Sequence, residues 1–313
     1  MYYRFLPIFG LLLLPLLLGP NQAQAQLGCD RACLTGYVDA WFAGLIANDP
    51  QSVPVTPDVR ITANGRSTGV AGTFWPEAGS TPYRWDIVNQ RRGDTGTEAI
   101  ILNEDGSKTM LMLRLKVTNG AISEIETIKA NQGDANALWG PDTLLQRGVS
   151  RSLQLSIREA EQDSYYRLVA AAEGYWRAFQ TNGTADYHPA ELQPDSERFE
   201  NGLQTTGLMR NGEYNSTALG FDMGRFIGRN LWDRRYPVVD EERGIVLSIV
   251  RFGLKDGMES QSAATANSRL VGEFFAVKNG IIHEIHAVLF NVPESDTSVW
   301  APDYGPGRGG AGW

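Results

Sequence analysis

Apolar and polar positions alternate along this chain in two distinct periods, and the succession of periods occurs twice. Between Asp30 and Ala47, the residues Cys33, Tyr37, Ala40, Trp41, Gly44 and Leu45 recur at spacings of three and four, one apolar stripe on a helix. Asp30 can cap that helix, and Asn48-Asp49-Pro50 stops it. A short strand, "DVRITANG", closes on an Asn-Gly turn, and a loop rich in Gly, Pro and Ser follows. Three strand candidates come next: "YRWDIVN", "EAIILNE" and "TMLMLRLKV". The last turns through Thr118-Asn119-Gly120 into "AISEIETIK", and Asn-Gly between alternating runs predicts a hairpin. The second pass begins with a helix from Ser164 to Thr181, striped by Leu168, Ala172, Tyr175, Trp176 and Phe179 and stopped by Gly183. "ERFENGLQTT" matches the first short strand. "RYPVVDEERGIVLSIVRFGL", "RLVGEFFAVKNG" and "IIHEIHAVLFNV" match the three later strands.

Shared landmarks make this a repeat rather than a resemblance of composition. Asn119-Gly120-Ala121-Ile122-Ser123-Glu124-Ile125-Glu126 returns as Asn279-Gly280-Ile281-Ile282-His283-Glu284-Ile285-His286, Asn64-Gly65 as Asn201-Gly202, and Trp85-Asp86 as Trp232-Asp233. Long-period self-similarity is the mark of a duplicated unit. The expected division is a leader at 1–25, a first domain at 26–132, a connector at 133–162, a second domain at 163–294 and a glycine-rich tail at 295–313. A helix followed by long antiparallel strands joined by Asn-Gly hairpins predicts an α+β unit, with helices covering one face of a bent sheet.

On that closing hairpin each half resembles a cone domain of the nuclear-transport-factor-2-like (SnoaL-like) family. "RRYPVVDEERG" (Arg234 to Gly244) and "FENGLQTT" (Phe199 to Thr206) further resemble tandem SnoaL-like proteins of bacteria and fungi that are secreted or handle small molecules. The resemblance spans nearly all of the chain after the leader. It implies two tandem cones, each a curved antiparallel sheet covered by helices, whose mouth takes a small hydrophobic molecule of aromatic or polyketide-like kind. Family members include isomerases, dehydratases, epoxide hydrolases, cyclases and lyases. Their common device is a carboxylate or histidine base on the cone wall, with a polar group to hold an oxyanion. The expectation is therefore a cofactor-independent lyase, isomerase or hydrolase using acid/base chemistry. The alternative is a secreted binding protein that shelters the same kind of molecule unchanged.

Charge and composition narrow the rest. Arg4, the apolar run Leu11 to Leu18 and Ala23-Gln24-Ala25 read as a secretory signal, too short to span a bilayer, which needs about 20 residues. The expected location is secreted or periplasmic, with no membrane attachment once the leader is gone. The formal charge of −8 argues against nucleic acid as a partner. Two cysteines, Cys29 and Cys33, could pair in an oxidising compartment, although four residues apart on a helix their side chains run parallel. With 3 histidines, 2 cysteines and no nucleophile elbow, P-loop or zinc spacing, no metal or other cofactor is expected. The tail "GPGRGGAGW" has dinucleotide-like glycines but no strand before them.

Candidate chemistry gathers in the second copy. Glu284 and His286 stand two apart on a strand and share a face, so the carboxylate could set the tautomer of a histidine base. Glu124 and Glu126 match them in the first copy. Asp233, beside Trp232, and Asp240, in the charged run Arg234 to Arg243, are further candidate bases. Arg235, Tyr175, Trp176 and the loop residue His188 are candidate substrate contacts. Asn201, next to Glu200, reads as a tight turn, and Asn182 and Asn215 fit the glycosylation pattern. The halves are expected to pack as an internal pseudo-dimer, which leaves the chain a monomer.

Overall fold

The computed structural model describes residues 1, 29–135, 138–181, 191–218, 229–254, 268–293 and 298–300. The expected leader segment after Met1, the chain beyond Trp300, and Asn182, Gly183 and His188 lie outside the described residues. No described helix is long and apolar enough to cross a membrane.

Each half opens on a helix, α1 (Arg31–Ile46) and α3 (Tyr165–Thr181). The Asp30 carboxylate caps α1 by accepting from the Cys33 backbone N–H at 2.9 Å. The sulfurs of Cys29 and Cys33 are bonded, with Cα atoms 5.2 Å apart, so the chain bends before the first turn rather than running helical through both. The second half of the expected α1 stripe, Trp41, Gly44 and Leu45, is buried, whereas in the first half Leu34 and Val38 take the buried places expected for Cys33 and Tyr37. Tyr37, at the edge of that stripe, donates its hydroxyl to the Gly120 carbonyl at 2.6 Å. The α3 stripe is buried as expected.

The first half supplies β1 (Val55–Ala63), β2 (Arg66–Ser67), β3 (Ala78–Asn89), β4 (Asp94–Asn103), β5 (Lys108–Thr118) and β6 (Ala121–Ala130). They form a sheet in the order β2-β1-β6-β5-β4-β3. The connector carries a short helix, α2 (Pro141–Arg147). The second half supplies β7 (Leu192–Glu200), β8 (Leu203–Thr206), β9 (Leu208–Arg210), β10 (Glu213–Asn215), β11 (Arg229–Asp240), β12 (Ile245–Leu254), β13 (Ser268–Lys278) and β14 (Ile281–Val292). Apart from the small β9–β10 ribbon, its sheet repeats the order, β8-β7-β14-β13-β12-β11. The architecture is α+β, two six-stranded curved sheets in tandem. Each sheet is mixed rather than wholly antiparallel, because the first long strand returns beside the last and runs parallel to it.

Two sequence readings are corrected here. "RYPVVDEERGIVLSIVRFGL" is a hairpin of β11 and β12 rather than one strand, turning at Asp240–Gly244 as β3 and β4 turn at Asn89–Gly93. Trp85 pairs with Glu98, and Glu98 matches Ile249, the partner of Arg235. Bulges in β11 therefore put Arg235, not Trp232, in the place of Trp85.

The halves agree where the backbone demands it. Asn64 and Asn201 adopt φ of 48° and 45°, and Asn119 and Asn279 adopt 52° and 56°, the left-handed backbone of tight hairpins. Asn64 clamps β6 by donating to Lys129 O at 3.1 Å and accepting from Lys129 N at 2.7 Å. Asn201 does the same to Leu289 on β14, at 3.0 and 2.9 Å.

Each sheet has two covered faces. One packs under the sheet's own helix, and the other packs against the opposite sheet. Counted from the hairpin turns, Gly96 matches Leu247 and Gly272 matches Met112. A side chain on Gly96 would meet Leu247 at 3.1 Å, and one on Gly272 would meet Met112 at 2.9 Å. Each glycine thus lies against its own counterpart, which is how a two-fold related contact closes on itself. Trp85, Ile87, Met110, Met112, Val238, Leu247, Phe274 and Val288 fill the layer between the sheets.

Candidate functional site

The face of β13 under α3 carries Val271, Glu273, Phe275 and Val277, so period two drives one carboxylate into an apolar cone. Glu273 is 0% exposed. It accepts from Arg198 Nε at 3.2 Å, and a second Arg198 nitrogen lies 3.3 Å from Glu200 Oε1. Arg198 and Glu200 reach the cone because they alternate with Phe199 on β7, which points the other way. Tyr175 of α3 completes the cluster, with the Arg198 guanidinium 5.9 Å from its ring centre. Trp176 donates its indole N–H to Ser248 Oγ at 3.0 Å, and Phe179 and Phe275 complete the aromatic wall.

Two carboxylates share one guanidinium in this space, and the balance falls on Glu273. Burial pushes its carboxyl up, the Arg198 cation opposes burial, and the Glu200 charge reinforces it, leaving the group at about 7. Its Oε2 has no hydrogen-bond partner. Burial likewise raises the Tyr175 phenol, whereas Arg198 is driven up by its carboxylates despite burial. A buried acid poised near neutrality beside a fixed cation and a phenol can take up, hold and return a proton.

The matching positions of the first cone are Leu113 for Glu273, Ile61 for Arg198 and Ala63 for Glu200, and the same spacing of buried positions on the two helices matches Trp41 to Tyr175. Leu113, Ile61 and Trp41 are buried in a single apolar cluster, so the first cone is filled by its own side chains.

His286 and Glu284 do share a face of β14, but that face looks toward the first half and not into the cone. This corrects the expectation of a cone-lining base. His286 is 2% exposed. Its Nδ1 meets Glu98 Oε2 at 2.8 Å and its Nε2 meets Glu284 Oε1 at 3.1 Å. Phe199 stacks on the imidazole at 4.8 Å. Burial lowers the affinity of the ring for a proton, but the Glu98 charge and the hydrogen bonds to both carboxylates outweigh it and hold the group at about 9. At neutral pH it is an imidazolium already holding its proton, unsuited to the role of base. Glu284 is held down at about 2, burial being overcome by His286 and by the hydroxyls of Ser152 and Ser150 at 2.6 and 2.8 Å.

The charged run of β11 ties the halves together. Asp240 is buried and accepts two bonds from Arg31 at 2.8 and 2.9 Å and one from the Val88 backbone at 3.0 Å. Arg235 reaches across to Glu126 at 2.7 Å, where Arg114 also binds at 3.2 Å. Asp233 adopts φ of 55° at a bulge. Burial raises its carboxyl, with Arg251 and Arg235 opposing. Trp300 closes this region, its ring 4.1 Å from the Arg60 guanidinium and 4.7 Å from that of Arg114, and its N–H donating to Thr62 at 2.9 Å. Tyr175 and Trp176 are thus the expected site residues that stand in the second cone. The Asn215 amide donates to Thr205 O at 2.5 Å and is buried, so it is not presented for glycosylation.

Glu273 and Arg198 were missed by the sequence reading, and Glu200 was noted only as a turn neighbour. Their mark in the sequence is a lone charge inside the apolar run "RLVGEFFAVK" and the alternation Arg198-Phe199-Glu200. Nothing short of the pairing of β7 with β14 shows that they meet.

A family model described as a domain of unknown function (DUF8021) matches residues 161–289. No curated protein matches the chain. Among solved structures, the chain is similar to a loop truncation variant of IdmH at 16% identity, covering 31% of this chain and 91% of that one with a TM-score of 0.26. A putative isomerase from Rhodopseudomonas palustris gives 7% identity, 31% and 89% coverage and a TM-score of 0.26. AclR, a putative hydroxylase from Streptomyces galilaeus, gives 12%, 33%, 82% and 0.25.

Proposed function

We propose that the second half is the working cone of a tandem nuclear-transport-factor-2-like protein, and that it carries out cofactor-independent acid/base chemistry on a small hydrophobic molecule. The observation that carries this reading is Glu273, wholly buried, poised at about 7 and free at Oε2, where the first cone has Leu113. Glu273 takes a proton from the bound molecule and returns it at another atom or to a leaving group. The Arg198 cation opposes the effect of burial, so that Glu273 still ionises near neutrality, and the Tyr175 hydroxyl donates to the oxyanion that develops. Trp176, Phe179 and Phe275 supply the apolar surface that favours an aromatic or polyketide-like substrate. The first half serves as an internal partner, so the chain works as an exported monomer, and sequencing of the exported protein should begin near Gln26.

The test is incorporation of solvent deuterium, followed by proton NMR, into a panel of aromatic and polyketide-like ketones. Wild-type protein should exchange protons next to the carbonyl of at least one of them, and Glu273→Gln should slow that exchange by about 100-fold or more. Undiminished exchange in Glu273→Gln would move the base elsewhere. Saturable binding of the panel without exchange would make the protein a carrier.

A further inference from the structure

On the opposite face of the second sheet lies a cleft of about 360 Å³, bounded by the connector, β7, β14 and the β9–β10 ribbon. It is separate from the cone, because Glu197 alternates with Arg198 and Glu200 along the regular end of β7, and Glu284 shares its face of β14 with His286. Glu284 contributes to its wall and is anchored behind by His286, which Glu98 holds in turn. Arg147 fixes the other wall by pairing with both Glu197 and Glu284, while its guanidinium lies 5.0 Å from the Phe199 ring centre. Ser152 is held by Glu284, and His283 is kept neutral by burial, which lowers its proton affinity. Tyr214, 41% exposed, brings an aromatic ring to the cleft from the ribbon, the one such ring among the described lining residues.

The lining is almost wholly polar, with acceptors on three carboxylates and donors on hydroxyl, amide, imidazole and guanidinium groups. A hydrophobic substrate finds no wall among these described residues. A ring of hydroxyl groups would satisfy such a surface, each hydroxyl both giving and taking a hydrogen bond, with its C–H face against Tyr214. Among the described lining residues, three carboxylates against the one cation Arg147 make the cleft a poor host for an anion and a good one for an added ammonium group.

We propose that this cleft is a saccharide-binding site, separate from the cone, that takes neutral sugars and amino sugars and rejects sugar acids and sugar phosphates. The carboxylates accept from the ligand's hydroxyls and ammonium, Gln193 and Ser152 answer its remaining polar atoms, and Tyr214 carries its ring. Gains from such a site are modest per contact, so a monosaccharide binds in the millimolar range and an oligosaccharide more tightly.

The experiment is calorimetric titration of the full chain with glucosamine, N-acetylglucosamine, glucuronate and ethanolamine, followed by chito-oligosaccharides. Glucosamine should bind best, N-acetylglucosamine next and glucuronate not measurably. Tyr214→Ala and Asp195→Asn, both exposed positions that leave the core intact, should each weaken glucosamine by about tenfold, one contact's worth. Unchanged thermal melting of both variants would separate lost binding from lost folding. Ethanolamine binding as tightly as glucosamine, glucuronate binding equally well, no saccharide binding at 10 mM, or variants that bind like the wild type would each overturn the proposal.

Discussion

The two cones share a strand order and their Asn-Gly clamps, yet their interiors are chemically opposed. Leu113, Ile61 and Ala63 line the first, and Glu273, Arg198 and Glu200 stand at the same three places in the second. Backbone geometry tolerates either set, because a strand position inside a cone fixes the direction of a side chain and not its polarity. Burial of a guanidinium between two carboxylates is poor value for stability compared with apolar packing of similar volume. The first cone shows the inexpensive solution. A second cone that departs from it is best explained by use, which is why the function is sought there.

The layer between the sheets shows a second contrast. Glu126 and His286 are equivalent positions, each held by a residue of the other half, Arg235 in one case and Glu98 in the other. The partners themselves are not equivalent: Arg235 stands where the first half has Trp85, and Glu98 where the second half has Ile249, so the reversed charges are met from different strands. This asymmetry belongs to the joining of the halves and not to catalysis.

The sharpest way to break the cone comparison is to make one cone resemble the other. Arg198→Met alone should strand two buried carboxylates and cost about 3–5 kcal/mol in urea unfolding at pH 7. The triple change Arg198→Ile, Glu200→Ala, Glu273→Leu, copied from the first cone, should be neutral or stabilising by up to about 4 kcal/mol while removing exchange activity. A triple variant as unstable as the single one would show that the second cone needs its ions for folding.

The interface comparison is tested by His286→Leu, which leaves Glu98 buried without its cation and should cost about 3 kcal/mol at pH 7. Because the folded histidine is raised from 6.5 to about 9, the native state holds an extra proton between those values. Its contribution is complete below pH 6.5 and is lost as pH rises through 9, so wild-type stability should fall across that window. His286→Leu should flatten the fall. Glu273, raised from 4.5 to about 7, also lets stability fall with rising pH, but in the lower window between those two values, so the two contributions can be told apart. An unaltered profile above pH 7 in His286→Leu would remove the histidine from the account.

Trp300 has its stacking partners in both halves, Arg60 and Arg114 in the first and Arg235 in the second, the last at 5.7 Å. Trp300→Ala should cost about 2 kcal/mol, measured by thermal unfolding, and more at low salt than at high. The smallest effects should be equal ones. Asn64→Gly and Asn201→Gly keep the left-handed turn but lose the clamp on β6 or β14, at about 1–2 kcal/mol each. A difference above about 1 kcal/mol between them would mean that the two hairpins are not equivalent in energy despite their matching geometry.

Local grammar was enough to reveal two helices, the hairpins at Asn119-Gly120 and Asn279-Gly280, and the repeat itself, because periodicity and turn residues act over a few neighbours. It also reached the α3 stripe and the Asp30 cap. It failed on the first half of the α1 stripe, where Leu34 and Val38 outcompete Cys33 and Tyr37 for the core, and on the bulges that shift β11. It chose His286 for a sound local reason, a shared face with Glu284, without a means to say which face that was.

Sequence by itself determined which residues alternate, where the chain turns, and that one plan is used twice. Tertiary structure alone decided that one face of β14 meets the other half, that Arg198 from β7 finds Glu273 from β13 across 75 positions of chain, and that Glu284 opens on a cleft. The physical reason is that a strand has two faces of equal local standing, and only the partner packed on each one settles whether a charge is an anchor, a base or a ligand contact.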